Sequence, residues 1–294
     1  MKRGLKRSNQ TRKFGNRSST GPQGSVTKAI VFDLGGVLVD LHSADARREL
    51  IDDYGMPAER FDRLTRSCFT QPRRSITELA MIGRASTSEY LSSFSRECRR
   101  KDIDGMRNNR LSVLGRERRA VFDIVNQLKE SGTTCCILSN TIALHWEKLE
   151  SRSEYPSLRE FDHIFASHLI QRAKPRRNAF FFVAEALKIH MSECLLIDDT
   201  ALNVDGARRA GWSGLLFTDA ATLRRDLART LGRHDAPSAP VTANGSILRR
   251  PRLGAPSFLF PKIGRRGDIK LLLSPRRAPA KTPTINYPKT NELK

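Results

Sequence analysis

A carboxylate at the tip of an apolar run opens the chemistry of this chain: Ile30-Val31-Phe32-Asp33-Leu34-Gly35-Gly36-Val37-Leu38-Val39-Asp40. A strand ending there presents Asp33 at its C-terminal edge, and the glycines let a phosphate approach the backbone. Three further pieces follow in order: Ser139-Asn140-Thr141, Lys174-Pro175 and Asp198-Asp199. Each lies at or just past the end of a later apolar run, where an open α/β sheet gathers its ligands. Asp33 is the candidate nucleophile, because a carboxylate attacks a phosphomonoester best when a metal offsets the repulsion between two anions. Adjacent carboxylates such as Asp198 and Asp199 are unfavourable unless a cation relieves them. Their hard oxygen atoms suit Mg²⁺. The plainer readings are a loop cap for Asp33, a helix cap for Asp199, a loop start for Ser139-Asn140 and a solvated Lys174.

The elements that must hold these residues alternate. Apolar strands are expected at 29–33, 134–138, 163–166, 194–197 and 214–218. Helices are expected at 117–130, 178–187, around 203–210 and at 222–231. Val121, Ile124, Val125 and Leu128 repeat at helical spacing, and Gly132 and Gly211 stand where helices stop. Strands alternating with helices predict an α/β fold, a doubly wound (Rossmann-like) parallel sheet with helices on both faces. From about 44 to 112 the pattern is helical throughout, with segments at 44–53, 57–69, 77–82 and 87–98 and no β-rich run. It lies between the first two strands and reads as an insertion.

Charge divides the 294 residues into three parts. Residues 1–28 hold eight Lys/Arg and no acid, and 237–294 hold twelve Lys/Arg against Asp268 and Glu292. The net +21 therefore sits mostly at the two ends, with 29–236 nearly balanced. Both ends are expected to be disordered, and they would bind polyanions weakly and non-specifically. Their few aromatics argue against base stacking. Cys68, Cys98, Cys135, Cys136 and Cys194 show no paired metal-ligand spacing. An odd cysteine count without a secretory leader points to a reducing, cytoplasmic setting. No apolar stretch approaches the ~20 residues needed to span a bilayer.

The four motifs together resemble the haloacid dehalogenase-like (HAD) hydrolases, subfamily IA, over roughly 29–235. The most specific is Asp198-Asp199-Thr200-Ala201-Leu202-Asn203-Val204-Asp205-Gly206-Ala207. The resemblance implies an α-helical cap at the insertion and a small phosphorylated substrate. It implies Mg²⁺ held by Asp33, the carbonyl of Gly35 and Asp199, with Asp198 a ligand or a supporting partner. Ser139, Asn140 and Lys174 would hold the phosphoryl group, with Asp33 and Lys174 catalytic.

Two departures stand out. Most family phosphatases carry a second Asp, the general acid and base, where this chain has Gly35. Its loss would slow turnover by roughly 10²–10⁴. The motifs look most like the α-glucose-1-phosphatase type, which also lacks that Asp and whose sugar 1-phosphates leave more easily. His145 could donate a proton or could be a packing histidine. The second departure is a basic loop, with Gln171 where the family usually has Gly and Arg176 where it usually has an acid. The expected function is a Mg²⁺-dependent phosphomonoesterase. The alternatives are a non-catalytic phosphate-binding scaffold and a haloacid dehalogenase, which needs no metal.

Overall fold

The computed structural model describes residues 26–67, 74–151 and 153–232. The chain divides into two units, Met1–Ser238 and Ala239–Lys294, and every described residue belongs to the first. The expectation for 237–294, nearly all of that for 1–28, and Cys68 therefore lie outside the described residues.

Along the chain, β1 is Ala29–Phe32 and β2 is Val39–Leu41. Five helices follow: α1 (Ser43–Asp52), α2 (Ala58–Thr65), α3 (Ile76–Met81), α4 (Thr87–Glu97) and α5 (Ile103–Ser112). Then come β3 (Leu114–Glu117), α6 (Arg119–Glu130), β4 (Thr134–Ser139) and α7 (Ala143–Leu149). The last part holds β5 (His163–Ala166), α8 (Ser167–Ile170), α9 (Arg177–Leu187) and β6 (Cys194–Asp198). It closes with α10 (Ala201–Ala210), β7 (Ser213–Leu216) and α11 (Ala220–Thr230).

The main sheet is wholly parallel, in the order β5-β4-β1-β6-β7. The chain winds out from β1 on one side through β4 and β5, then returns to the other through β6 and β7. Strand side chains alternate between faces. Ile30 and Phe32 pack with Val121, Val125 and Leu128 of α6 and Leu223 and Leu227 of α11. Val31 packs with Phe180 and Val183 of α9 and Ala207 of α10. The doubly wound α/β fold is thus the observed one. Cys135, Cys136 and Cys194 lie buried in its strands, where desolvation pushes the thiols of Cys135 and Cys194 up to about 12.

Helices α1–α5 form the insertion around Leu50, Met56, Phe61, Tyr90, Phe94 and Met106. Ile142 and Leu144 join this core and seat it beside α7. Helix α4 opens with a capping box: Ser86 Oγ accepts from the amide of Glu89, whose carboxylate accepts from the amide of Ser86. Two expectations need correction. The helical stretch at 57–69 ends at Thr65, and its final two residues lie outside the described residues. The insertion is also flanked by an antiparallel pair, β2 with β3, which the sequence reading did not anticipate. Three or four residues with one or two apolar side chains leave too little alternation to read.

Candidate active site

Three strand ends and one loop meet at Lys174. Strand β1 ends one residue before Asp33, whose amide donates to the carbonyl of Ile197 on β6 at 2.8 Å. Strand β4 ends in Ser139 and β6 ends in Asp198. Lys174 follows α8, is fully buried, and reaches both sides of β1–β6. Its Nζ lies 2.9 Å from Asp33 Oδ1 and 2.6 Å from Asp198 Oδ2.

Asp198 is saturated. One oxygen accepts from the amide of Thr200 at 2.9 Å, and both accept from Asn203 Nδ2, at 3.0 and 3.2 Å. With Lys174 this fills nearly all the lone-pair directions a carboxylate has. Asp199 is exposed, and an oxygen of each of Asp33, Asp198 and Asp199 lies within 4.8 Å of the others. Three carboxylates facing one ammonium leave an excess of negative charge. That donor set, all hard oxygens with two carboxylates not yet saturated, fits Mg²⁺.

The electrostatics follow from burial and crowding. Desolvation pushes Asp33 up to about 7 against the pull of Lys174, with Asp198 and Asp199 adding repulsion. Asp199 is raised by partial burial and by its neighbour Asp198. Burial alone would push Lys174 down, but Asp198 and Asp33 reverse it and hold the ammonium above its ordinary value.

Backbone geometry sets the close approaches. Gly36 sits at φ +80°, and a Cβ there would lie 1.9 Å from Asp199 Oδ2. A Cβ on Gly206 of α10 would meet the Pro175 carbonyl at 2.5 Å, so this glycine lets α10 close on the Lys174 loop. Gln171 occupies the left-handed region at φ 56°, where a glycine would be free of strain. That gives a physical reason for the family preference noted above.

Asn140 does not present its whole amide to the cleft. Its Oδ1 accepts from the Lys174 amide and its Nδ2 donates to the Lys174 carbonyl, both at 2.9 Å. One Nδ2 hydrogen remains. The Ser139 hydroxyl makes no hydrogen bond to the described residues and lines the cleft. Thr141 is tied down by Ser167, whose Oγ accepts from its amide and donates to its carbonyl. His145 is buried, and its Nε2–H donates to the Arg110 carbonyl at 2.9 Å. Burial, reinforced by the charge of Arg110, lowers it to about 4. It is neutral near pH 7 and its ring proton is engaged, so the packing reading fits it better than the proton-donor one.

Sequence reasoning missed Arg118, just past β3. Its Nε donates to Asp40 at 2.6 Å and its Nη1 to the Gly36 carbonyl at 2.7 Å, bracing the loop after Asp33. Its partners lie about 80 residues away, so no local pattern marks it.

A cleft of about 540 Å³ opens over these groups, with Asp33, Gly35, Ser139, Asn140 and Asp199 at its floor. Ser43, Arg47, Phe61, Thr77, Tyr90 and Arg110 of the insertion form its other wall. The helical insertion therefore covers a site built on strand ends.

A parallel α/β sheet with an acidic centre at its strand ends and a helical cover defines a class of capped hydrolase-like proteins. The family model of the haloacid dehalogenase-like hydrolases matches residues 27–211, and the chain belongs to that family. It is 27% identical to phosphatase MT3486 of Mycobacterium tuberculosis over 69% of this chain and 93% of that one. It is 24% identical to bifunctional epoxide hydrolase 2 of Rattus norvegicus over 73% of its own length, spanning 40% of that protein. Among solved structures it is similar to a predicted HAD-like hydrolase of Porphyromonas gingivalis, with a TM-score of 0.59 and 23% identity. That match covers 72% of this chain and all of the other. A HAD family enzyme of Bacteroides thetaiotaomicron, solved with magnesium and inorganic phosphate, matches with a TM-score of 0.55 and 21% identity. It is covered to 98%, and this chain to 67%. Among the described residues no helix is long and apolar enough to cross a membrane.

Proposed function

We propose that the chain is a Mg²⁺-dependent phosphomonoesterase of subfamily IA, acting on small phosphorylated substrates, sugar phosphates among them. Residues 29–236 would be the catalytic unit, with its helical cap at about 44–112. The observation that carries this reading is the Lys174 ammonium between Asp33 and Asp198, with Asp199 alongside.

Asp33 Oδ attacks phosphorus, and the bond from phosphorus to the leaving oxygen breaks as that oxygen takes a proton from water. A second water then attacks phosphorus and gives a proton to the hydroxide left by the first; the Asp33 O–P bond breaks, restoring the carboxylate and releasing inorganic phosphate. Lys174 directs two of its three N–H donors at Asp33 and Asp198, which leaves the third for the phosphoryl group. The Ser139 hydroxyl and the remaining Asn140 N–H supply further donors. Asp33, the Gly35 carbonyl and Asp199 would hold Mg²⁺, with Asp198 orienting Lys174 and Asn203 rather than binding the ion. Bound there, Mg²⁺ supplies charge neutralisation between nucleophile and phosphate. The phosphatase relative and the magnesium–phosphate complex of the Bacteroides enzyme support this reading. So does resemblance to the α-glucose-1-phosphatase type at motifs one and two.

The dehalogenase alternative needs no metal, and the surplus of negative charge around Lys174 argues against it. Weak polyanion binding by 1–28 and 237–294 belongs to the same proposal, supported by their charge alone; a salt titration against DNA tests it.

Phosphate release from sugar phosphates and p-nitrophenyl phosphate, with Mg²⁺ and with EDTA, tests the activity. Release that requires Mg²⁺ and vanishes in Asp33→Asn is expected. No release from any compound would favour the scaffold reading.

A further inference from the structure

The cap wall of the cleft carries a buried charge with no acid to answer it. Arg110, in the last turn of α5, is 6% exposed and lines the cleft together with Asp33 and Asp199. Its Nε donates to Tyr90 Oη at 3.2 Å, and its Nη1 lies 3.4 Å from Asn109 Oδ1. Its guanidinium sits over Phe94 at 5.1 Å and over Phe61 at 5.7 Å. All four partners are neutral. Among the described residues no carboxylate lies within ion-pair range of Arg110, and no Asp or Glu lines the cap side of the cleft.

The other cap arginine in the cleft differs. Arg47 is bound to Asp62 through Nε and an Nη, at 3.2 and 3.4 Å, in an exposed pair. Arg110 is held still by its neighbours and keeps donors in reserve. Asn109, which touches it, is itself fixed by the Ala46 carbonyl and Glu49 at 2.9 Å each. A buried charge without a counter-charge is costly, and aromatic faces offset only part of that. A guanidinium fork matches the two oxygens of a carboxylate or phosphate.

Resting on the phosphomonoesterase reading, we infer that the substrate carries a second anionic group, seated on Arg110 while the phosphoryl group meets Asp33 and Lys174. Arg110 is then the specificity-determining residue of the cap. The second group is a carboxylate or a second phosphate, and an uncharged sugar phosphate lacks it.

The test compares kcat/KM for 2-phosphoglycolate, 3-phosphoglycerate, glucose 1,6-bisphosphate, glucose 1-phosphate and p-nitrophenyl phosphate. The last reports phosphoryl chemistry without a second anion. In the wild type, at least one substrate with a second anion should exceed glucose 1-phosphate by about 10-fold or more. The carboxylates against the bisphosphate decide which group is recognised. In Arg110→Met, the ratio of the best such substrate to p-nitrophenyl phosphate should fall about 10- to 100-fold. A general packing defect would lower both rates and leave the ratio unchanged. If Arg110→Met melts early, Arg110→Lys, which keeps charge but loses the fork, should show a smaller fall in the same ratio.

A wild type that turns over glucose 1-phosphate as well as any substrate with a second anion overturns the inference and leaves the phosphatase reading intact. An unchanged ratio in both variants does the same. Absence of Mg²⁺-dependent turnover of every compound, p-nitrophenyl phosphate included, overturns the phosphatase reading and the inference with it.

Discussion

Asn140 grips Lys174 at both ends of its backbone, accepting from its amide and donating to its carbonyl at 2.9 Å each. This two-point clamp fixes where the ammonium between Asp33 and Asp198 stands. Asn140→Asp keeps the acceptor but replaces the N–H with an oxygen facing a carbonyl. We expect kcat for p-nitrophenyl phosphate to fall at least ~10-fold, the scale of losing one buried hydrogen bond and opposing two acceptors. Steady-state kinetics on the variant, with circular dichroism confirming the fold, checks it.

Gly36 and Asp199 make the second prediction. A Cβ at Gly36 would overlap Asp199 Oδ2, and its φ of +80° disfavours any other residue. Gly36→Ala should therefore displace Asp199 and weaken Mg²⁺ binding at least ~10-fold by isothermal titration. Gly132 has a similar φ of +82° but nothing within 4 Å of its missing Cβ. Gly132→Ala should cost about 1 kcal/mol of stability and leave Mg²⁺ affinity unchanged.

The third concerns pH. Asp33 is raised from an ordinary 3.8 to about 7, so the folded chain holds that proton more tightly than the unfolded one. Its contribution to the stability of the metal-free protein is present below about pH 4 and is lost as pH rises through about 7. Mg²⁺ needs the carboxylate form, so binding releases the proton and strengthens over the same window. The rise in Tm caused by a fixed Mg²⁺ concentration should be larger at pH 8 than at pH 5.5. In Asp33→Asn that pH dependence should be reduced.

Gly35 makes the fourth. A Cβ there would meet Leu41 Cδ1 at 3.0 Å, the far end of a half-exposed side chain that can move aside. Gly35→Asp should fold, and it installs the acid that most family phosphatases carry at this place. Alkyl phosphates, which need a protonated leaving group, should gain ~10-fold or more in kcat. p-Nitrophenyl phosphate, whose leaving group needs no proton, should change little.

Much of this architecture is legible in the residues. Apolar runs at 29–33, 134–138, 163–166 and 194–197 match strands within a residue at each end, because buried parallel strands are continuous apolar runs. Asp33, Lys174, Asp198 and Asp199 do converge. Less legible is what each side chain does on arrival. That Asn140 clamps Lys174 while keeping one N–H free, and that Asp198, readable as a ligand or a supporting partner, makes four contacts to Lys174, Thr200 and Asn203, is visible only in the fold. Arg110 sits in an unremarkable polar helix, and its burial depends on Phe61 and Phe94 from two other helices. Such roles depend on contacts between distant segments, which no local period encodes.

The central claim is that Asp33 takes the phosphoryl group with Mg²⁺ beside it. Beryllofluoride mimics a phosphoryl group on a carboxylate, so ¹⁹F NMR of the protein with beryllofluoride and Mg²⁺ tests it without knowledge of the substrate. Bound resonances in slow exchange are predicted for the wild type, absent with EDTA and absent in Asp33→Asn. No bound resonance in the wild type, or one that persists in Asp33→Asn, would contradict the account.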